Sequence, residues 1–282
     1  MASRKADGRP TEASLEQSRS LDDMDSEEIL RLIHREDGVA HAAVCEVLPR
    51  MAEAVEILTC ALSGGGRWFN VGAVTSGRIG VLDASEIPPT YGLSPRTVQG
   101  VIAGGDRALR CAVENAEDDA EAGSLELQER GLTLGDVVLG ISASGTTPFV
   151  LGAIEAAVEV GARTIAITCD PGSPIADSVE ISIAPRVGAE VVTGSTRMKG
   201  GLVQKMILSA LSTSVMVRMG RVRGNHMTHI SPGSRKLRGR AVRIVMELGE
   251  VDRDRAREIL RSTEGSVELA LEILDAERSI GT

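Results

Sequence analysis

Two short segments of this 282-residue chain concentrate groups that bind anions. VGAVTSGRIG (71–80) offers the hydroxyls of Thr75 and Ser76, and ISASGTTP (141–148) offers Ser142, Ser144, Thr146, Thr147 and the amide of Gly145. Each segment follows an apolar run and precedes a helical pattern, so its N–H groups lie at a helix N-terminus, where free donors and the macrodipole attract negative charge. Pro148 suits a first helical position. Ser, Thr and Gly in loops serve more often as caps and turn formers. It is the pairing of two such loops after long strands that points to a phosphorylated small molecule held between them. Neither loop carries a nucleotide signature, since GxGxxG and the P-loop pattern are both absent.

Acid–base chemistry needs groups that take and give protons in place. Glu86 lies in LDASEIPPTYG, where Pro88 and Pro89 are expected to end the preceding helix and to fix the chain just after the acid. A carboxylate at a helix C-terminus also stands against the dipole. Glu114, in AVENAEDD, is expected on the helix that follows Gly104 and Gly105, with Glu117 and Asp118 three and four residues on. Taken alone, Glu114 reads as one of the many solvent-facing acids of such a helix. No metal is expected, because His34, His41, His226 and His229 lack an HxxxH or HExxH context, and the pair His226 and His229 has no Cys or carboxylate partners nearby. Ser76 and Ser144 have no evident His base and no GxSxG elbow, which argues against a serine hydrolase.

These loops require strands and helices to hold them. Residues 1–25 read as a flexible arm and 26–56 as N-terminal helices, the first capped by Ser26 and the second running from about Val39 to Leu62. Residues 57–220 alternate strands and helices. Strands are expected in RWFNVGA, Val98 to Ile102, DVVLGI, RTIAIT and VEISIAP, with helices after each loop, one in ALRCAVENAEDDAEAG and a long apolar one from about Gly201 to Met219. Alternation of this length implies right-handed crossovers and an α/β fold, a doubly wound parallel sheet flanked by helices. From Lys236 only helical patterns appear, so 221–282 is expected as a small C-terminal helical bundle, with two of its helices joined at Glu264 and Gly265.

The formal charge of −9 and the lack of a basic cluster interleaved with aromatics argue against nucleic acid. The basic stretch Arg235 to Arg240 reads as a solvated helix face. No apolar run reaches the roughly 18 to 20 residues of a membrane span, and the N-terminus is polar, so a soluble, unexported protein without membrane association is expected. Cys45, Cys60, Cys111 and Cys169 show no CxxC spacing and read as buried thiols in a reducing compartment.

The strings LDASEIPPTYG, IAGGDRALRCAVENAEDD, LTLGDVVLGISASGTTP, CDPGSP, VGAEVVTGSTRMK and QKMILSALST, in this order, resemble the N-acetylmuramic acid 6-phosphate etherases. The resemblance spans about Glu28 to Val245. It implies a sugar isomerase (SIS) fold, a cytoplasmic homodimer without metal or organic cofactor, and a sugar phosphate as substrate. It also implies that Glu86 is the proton donor and Glu114 the second catalytic carboxylate, the base at C2. Thr75, Ser76, Ser142, Ser144, Gly145, Thr146 and Thr147 would bind substrate, with Ser195, Thr196 and Lys199 of TGSTRMK as additions. The chain departs from the family pattern at Val74 (usually Gly), Ile87 (usually Cys), Thr146 (usually Arg) and Leu202 (usually Thr), and it lacks the usual Asn after Thr11 and Glu12. A β-branched residue enters positive φ at a cost, so a reshaped loop is expected at Val74.

Overall fold

The computed structural model describes residues 9–230 and 233–280. The first eight residues of the expected arm therefore lie outside the described residues. The chain divides into two compact units, one of Met1–Ala84 with Arg96–Ser212 and one of Ser85–Pro95 with Thr213–Thr282.

In the first unit, residues 10–23 form three short 3-10 turns rather than a featureless arm, and Thr11 is only 2% exposed. Helix α1 (Ser26–Glu46) is capped by Asp25, not Ser26. Asp25 Oδ1 accepts from the Glu28 N–H and Glu28 Oε2 accepts from the Asp25 N–H, both at 2.9 Å, a reciprocal capping box. The break before α2 (Leu48–Ser63) falls at Val47 rather than near residue 38, because Pro49 suits the start of a helix and Gly38 is tolerated within one.

Strands β1 (Trp68–Gly72), β2 (Val98–Ile102), β3 (Val137–Ile141), β4 (Arg163–Ile167) and β5 (Ile181–Ile183) form one parallel sheet in the order β2-β1-β3-β4-β5. β1 and β3 are buried along their whole length, which is why both read as unbroken apolar runs. Helices α3 (Val74–Tyr91), α4 (Ala120–Glu129), α5 (Pro148–Val160) and α6 (Pro174–Ser178) lie in the crossovers, and α7 (Lys199–Arg218) follows the last strand. Phe69, Val71 and Val138 of the sheet pack with Phe149, Val150 and Ile154 of α5 in one aliphatic core. Each such side chain contributes roughly 1.5 to 3 kcal/mol on full burial.

Two expectations differ from the structure. The helix expected through AVENAEDD is absent: residues 105–118 form 3-10 turns, with Gly104, Gly105 and Asn115 at positive φ, and α4 starts only at Ala120 behind the Asp119 cap. Conversely, Pro88 and Pro89 lie inside α3, which runs on to Tyr91, where the Gly92 N–H bonds back to the Pro88 carbonyl at 3.0 Å. Proline removes its own donor but leaves its carbonyl to accept, so a last helical turn can form behind it. α7 is also long and apolar enough to cross a membrane, contrary to the reading of the sequence; more than half of its apolar window is buried within the protein, as in a core helix.

In the second unit, α8 (Arg235–Gly249), α9 (Arg253–Ser262) and α10 (Val267–Ile280) bury Ala241, Ile244, Val245, Ile259, Leu271 and Leu274 against one another. α9 and α10 join through Glu264 and Gly265, both at positive φ. The sequence reading missed a two-stranded antiparallel hairpin, β6 (Val222–Arg223) and β7 (His226–Met227), turned by Gly224 and Asn225. Two residues per strand leave too little alternation to detect.

The sheet is tied together at its far end from the loops by Asp136, which is 1% exposed. Its carboxylate accepts from the Arg67 backbone at 2.8 Å, the Arg67 guanidinium at 3.1 and 2.7 Å, and the Thr133 N–H at 2.8 Å. Burial pushes this carboxyl upward, but the bonds from Arg67 and Thr133 outweigh it and hold its pKa below the ordinary value. Asp136→Ala should therefore cost about 3 to 5 kcal/mol in urea unfolding, as for other broken buried pairs. Because the folded pKa is depressed, the Asp136 contribution is complete above the unfolded carboxyl range and is lost as pH falls through the folded value. The wild type minus Asp136→Ala difference should shrink only in that acidic window.

Candidate active site

The strand order places β1 and β3 side by side at the point where successive connections run to opposite edges of the sheet. Such a switch point opens a crevice beyond the carboxyl ends of the two strands. The nominated loops leave from those two ends. After β1 the chain turns at Val74 into α3, and after β3 it runs through Ser142 to Thr147 into α5.

Thr75 and Ser76 thus lie in the first turn of α3 rather than in a loop before it. Ser76 Oγ donates to Gln204 Oε1 at 3.0 Å, a long-range bond to α7. Val74 is 49% exposed and has φ +46°, so the loop holds a β-branched residue in a left-handed conformation. That conformation costs on the order of 1 to 3 kcal/mol.

The second loop is a chain of hydroxyls. Ser142 Oγ lies 2.8 Å from Thr147 Oγ1 and 3.5 Å from Ser144 Oγ, and Ser144 Oγ lies 3.0 Å from Thr146 Oγ1. Ser142 Oγ also accepts the Gly145 N–H at 3.0 Å. Gly145 has φ +68°, and a Cβ built there would fall 2.0 Å from Ser173 Oγ, so both conformation and space require glycine.

A third loop reaches the same place. A Cβ built on Gly200 would lie 3.2 Å from the Ala143 Cβ and 3.3 Å from the Thr196 Cβ, and one on Gly201 would lie 3.4 Å from the Thr75 Cγ2. Thr75, Ala143 and Thr196 therefore surround the first turn of α7. Ser195 and Thr196 are half-buried, and their hydroxyls make no hydrogen bond among the described residues. Lys199 is different. Its Nζ donates to Glu36 Oε2 at 2.6 Å in a buried pair, so its charge is committed to α1. Glu190, which the sequence reading missed along with Glu36, accepts the Lys199 N–H at 3.0 Å and the Gly200 N–H at 2.9 Å. Neither acid has a local signature; Glu36 lies 163 residues from its partner.

The two nominated acids have distinct settings. Glu86 is exposed in the last turns of α3, in the second unit. Glu114 is exposed in the turn between the two 3-10 segments and lines a cleft of about 130 Å³ with Val74, Arg78, Ala108, Val113 and Asn115. Among the described residues no group of three or more His, Cys, Asp or Glu side chains is placed to hold a metal. Three of the four thiols, Cys45, Cys60 and Cys111, are exposed rather than buried, because they lie on outward helix faces and in the irregular 105–118 segment. Cys169 alone is buried, and burial, followed by the charges of Glu190 and Asp170, pushes its pKa up to about 12.

Comparison with known proteins decides the family. N-acetylmuramic acid 6-phosphate etherases are 49% identical over 261 residues in Jannaschia sp. (strain CCS1), covering 93% of this chain and 83% of that protein. The etherase of Escherichia coli O81 (strain ED1a) is 44% identical over 273 residues, covering 95% and 92%. The chain belongs to the N-acetylmuramic acid 6-phosphate etherase family. Within the chain, residues 121–214 match the SIS domain family, and residues 50–158 match the glucokinase regulatory protein N-terminal SIS domain family. A phosphoheptose isomerase from Francisella tularensis shares the fold, with 19% identity, a TM-score of 0.53 and coverage of 69% of this chain and all of that one. So does a protein of E. coli CFT073 solved with a bound ligand, with 20% identity, a TM-score of 0.52 and coverage of 72% and 97%. The fold of this etherase-family chain is accordingly the SIS fold expected from its motifs.

Lys199 offers a clean test of structure against binding in this family member. Lys199→Met should destabilise by about 3 to 5 kcal/mol, because it leaves Glu36 buried without its counter-ion, and adding Glu36→Leu should recover most of that loss. If the double variant folds and binds sugar phosphate with wild-type affinity, Lys199 is structural; a weakened affinity in the folded double variant would place its ammonium on the substrate.

Proposed function

We propose that this chain cleaves the D-lactyl ether of N-acetylmuramic acid 6-phosphate, giving N-acetylglucosamine 6-phosphate and D-lactate. The observation that carries this reading is the likeness to etherases over nine-tenths of the chain. The proposed setting is a cytoplasmic homodimer acting in amino-sugar metabolism and peptidoglycan recycling. The exposed thiols suit a reducing compartment, and the outward-facing Leu30, Val39 and Leu48 of α1 and α2 suit a covered surface.

The chemistry needs an acidified C2 proton. Opening the sugar ring exposes a C1 aldehyde, which makes the proton at C2 removable. Glu114 takes that proton; the C3–O bond then breaks, and Glu86 gives a proton to the departing lactate oxygen. Water adds to the resulting unsaturated aldehyde at C3, and the C2 proton is returned. The phosphate is assigned to the hydroxyls and amides of Ser142, Ser144, Gly145, Thr146 and Thr147, with Thr75, Ser76, Ser195 and Thr196 on the sugar. Free N–H groups at the start of α5 add a favourable field for the anion. Lys199 is assigned to holding α7 in place.

A second reading, a non-catalytic phosphosugar sensor, is favoured only by the match of residues 50–158 to the glucokinase regulatory protein domain. Isotope exchange separates the two. In deuterated water the wild type should place deuterium at C2 of the product. Glu114→Gln should lower exchange and lactate release together by about 100-fold or more, the usual effect of losing a general base, with sugar-phosphate binding retained. Glu86→Gln should slow lactate release while C2 exchange persists. A wild type that binds the sugar phosphate but yields neither exchange nor lactate would leave the sensor in place of the etherase.

A further inference from the structure

A phosphate monoester brings a charge of about −1.5 to −2 at neutral pH, whereas the 142–147 loop consists of neutral hydroxyls and amides. Lys199, the cation nominated from the sequence, is held by Glu36. The cation that meets the loop comes from the N-terminal segment. Arg9 Nη1 donates to Thr146 Oγ1 at 2.9 Å, in a half-buried contact across 137 residues. Through Thr146 the guanidinium joins the hydroxyl chain of Ser144, Ser142 and Thr147.

The segment around Arg9 is built to hold it there. Pro10–Glu12 forms a 3-10 turn, in which the Glu12 N–H bonds to the Arg9 carbonyl at 3.1 Å. Thr11 is 2% exposed and anchors the turn. Glu12 reaches the third loop, where its carboxylate lies 3.3 Å from the position a Cβ would take on Gly194. Residues 9–12 therefore touch both the 142–147 loop and the 188–199 loop, and they deliver one guanidinium to the hydroxyl network between strand β3 and helix α5.

We propose that Arg9 is a phosphate-binding residue of this site, supplying from the N-terminal segment the positive charge that the loop itself lacks. The guanidinium presents its N–H donors in a planar fork whose geometry matches phosphate oxygens, and it stays charged at every physiological pH. A phosphate seated on the Ser144 and Thr146 hydroxyls lies within reach of the same fork. The inference rests on the assignment of that loop to the phosphate under the proposed function, and it adds a residue from outside the loop and outside the sheet.

The test uses the full-length chain with two probes, inorganic phosphate and N-acetylglucosamine 6-phosphate, in calorimetry, and lactate release for kinetics. Arg9→Gln should weaken both probes and raise KM by about 10- to 100-fold, the range for losing a hydrogen bond between charged partners, with kcat changed by no more than a few-fold. Arg9→Lys should recover part of the affinity, because it restores the charge without the fork. Thermal unfolding of Arg9→Gln near the wild-type temperature shows that the loss is one of binding rather than of folding. Unchanged affinity for both probes in folded Arg9→Gln would overturn the proposal, as would a wild type that binds neither. A wild type that binds both probes through Arg9 but releases no lactate supports the Arg9 assignment and sinks the etherase reading alone.

Discussion

The buried carboxylate of Glu190 closes the start of α7 to any outside anion and fixes the turn around which the polar loops gather. It is 1% exposed and accepts the first two N–H groups of α7, so the positive end of that helix is filled by the chain's own anion. Lys199, 2% exposed, lies on the same turn and pairs with Glu36, itself 7% exposed. An isolated charge at such depth would cost several kcal/mol, so the three groups are tolerable only together. The cluster fixes the first turn of α7, and through Gly200 and Gly201 that turn brings Thr196 against Ala143 and Thr75. The N-terminus of α5 has no such internal carboxylate: Thr147 makes no side-chain cap, and Pro148 has no N–H to satisfy.

This arrangement explains why a neutral loop can sit at the switch point of the sheet. The hydroxyls of Ser142, Ser144, Thr146 and Thr147 satisfy one another, so the loop holds its shape without a buried charge of its own. A hydroxyl both donates and accepts, which lets the same groups turn toward an arriving anion. For the phosphate proposed to bind there, charge would come from elsewhere in the fold, and an arginine held across the loop costs less desolvation than one buried within it.

The order of strands and helices was legible because buried parallel strands and amphipathic helices leave strong periodic signals; β2 begins and ends where its residues say it should. The 142–147 loop was legible because its hydroxyls cluster in sequence, whereas the cluster at Thr75 and Ser76 was legible but falls in the first turn of α3 rather than in a loop. The misses share a cause. Arg9 with Thr146, Glu36 with Lys199 and Ser76 with Gln204 join residues 128 to 163 positions apart, and no local pattern encodes such a pair. Asp25 lost to Ser26 as the expected cap because both are good capping residues, and only the Glu28 partner distinguishes them. The thiols failed for a different reason: an apolar neighbourhood in sequence does not say which face of the helix is turned outward.

The segment that carries Glu114 shows why the absence of a helix there suits the role proposed for it. On a regular helix an exposed Glu explores many rotamers above a smooth surface. Here its two neighbours are constrained in different ways. Val113 is packed so closely on Gly104 that a Cβ at position 104 would come within 2.9 Å of it, and Asn115 is held at φ +61°. Among the described residues four non-glycines have positive φ, and two of them, Val74 and Asn115, line the cleft that contains Glu114. The other two, Glu250 and Glu264, terminate or connect helices of the C-terminal bundle, where such a conformation is an ordinary way to end a helix. Neither Val74 nor Asn115 ends a helix: each precedes or begins one. Backbone strain of this kind persists only where surrounding packing enforces it, and it gathers where geometry matters more than stability. The strain in the first unit is thus placed on both walls of one cleft, with Glu114 between them and Arg78 of α3 facing the same space.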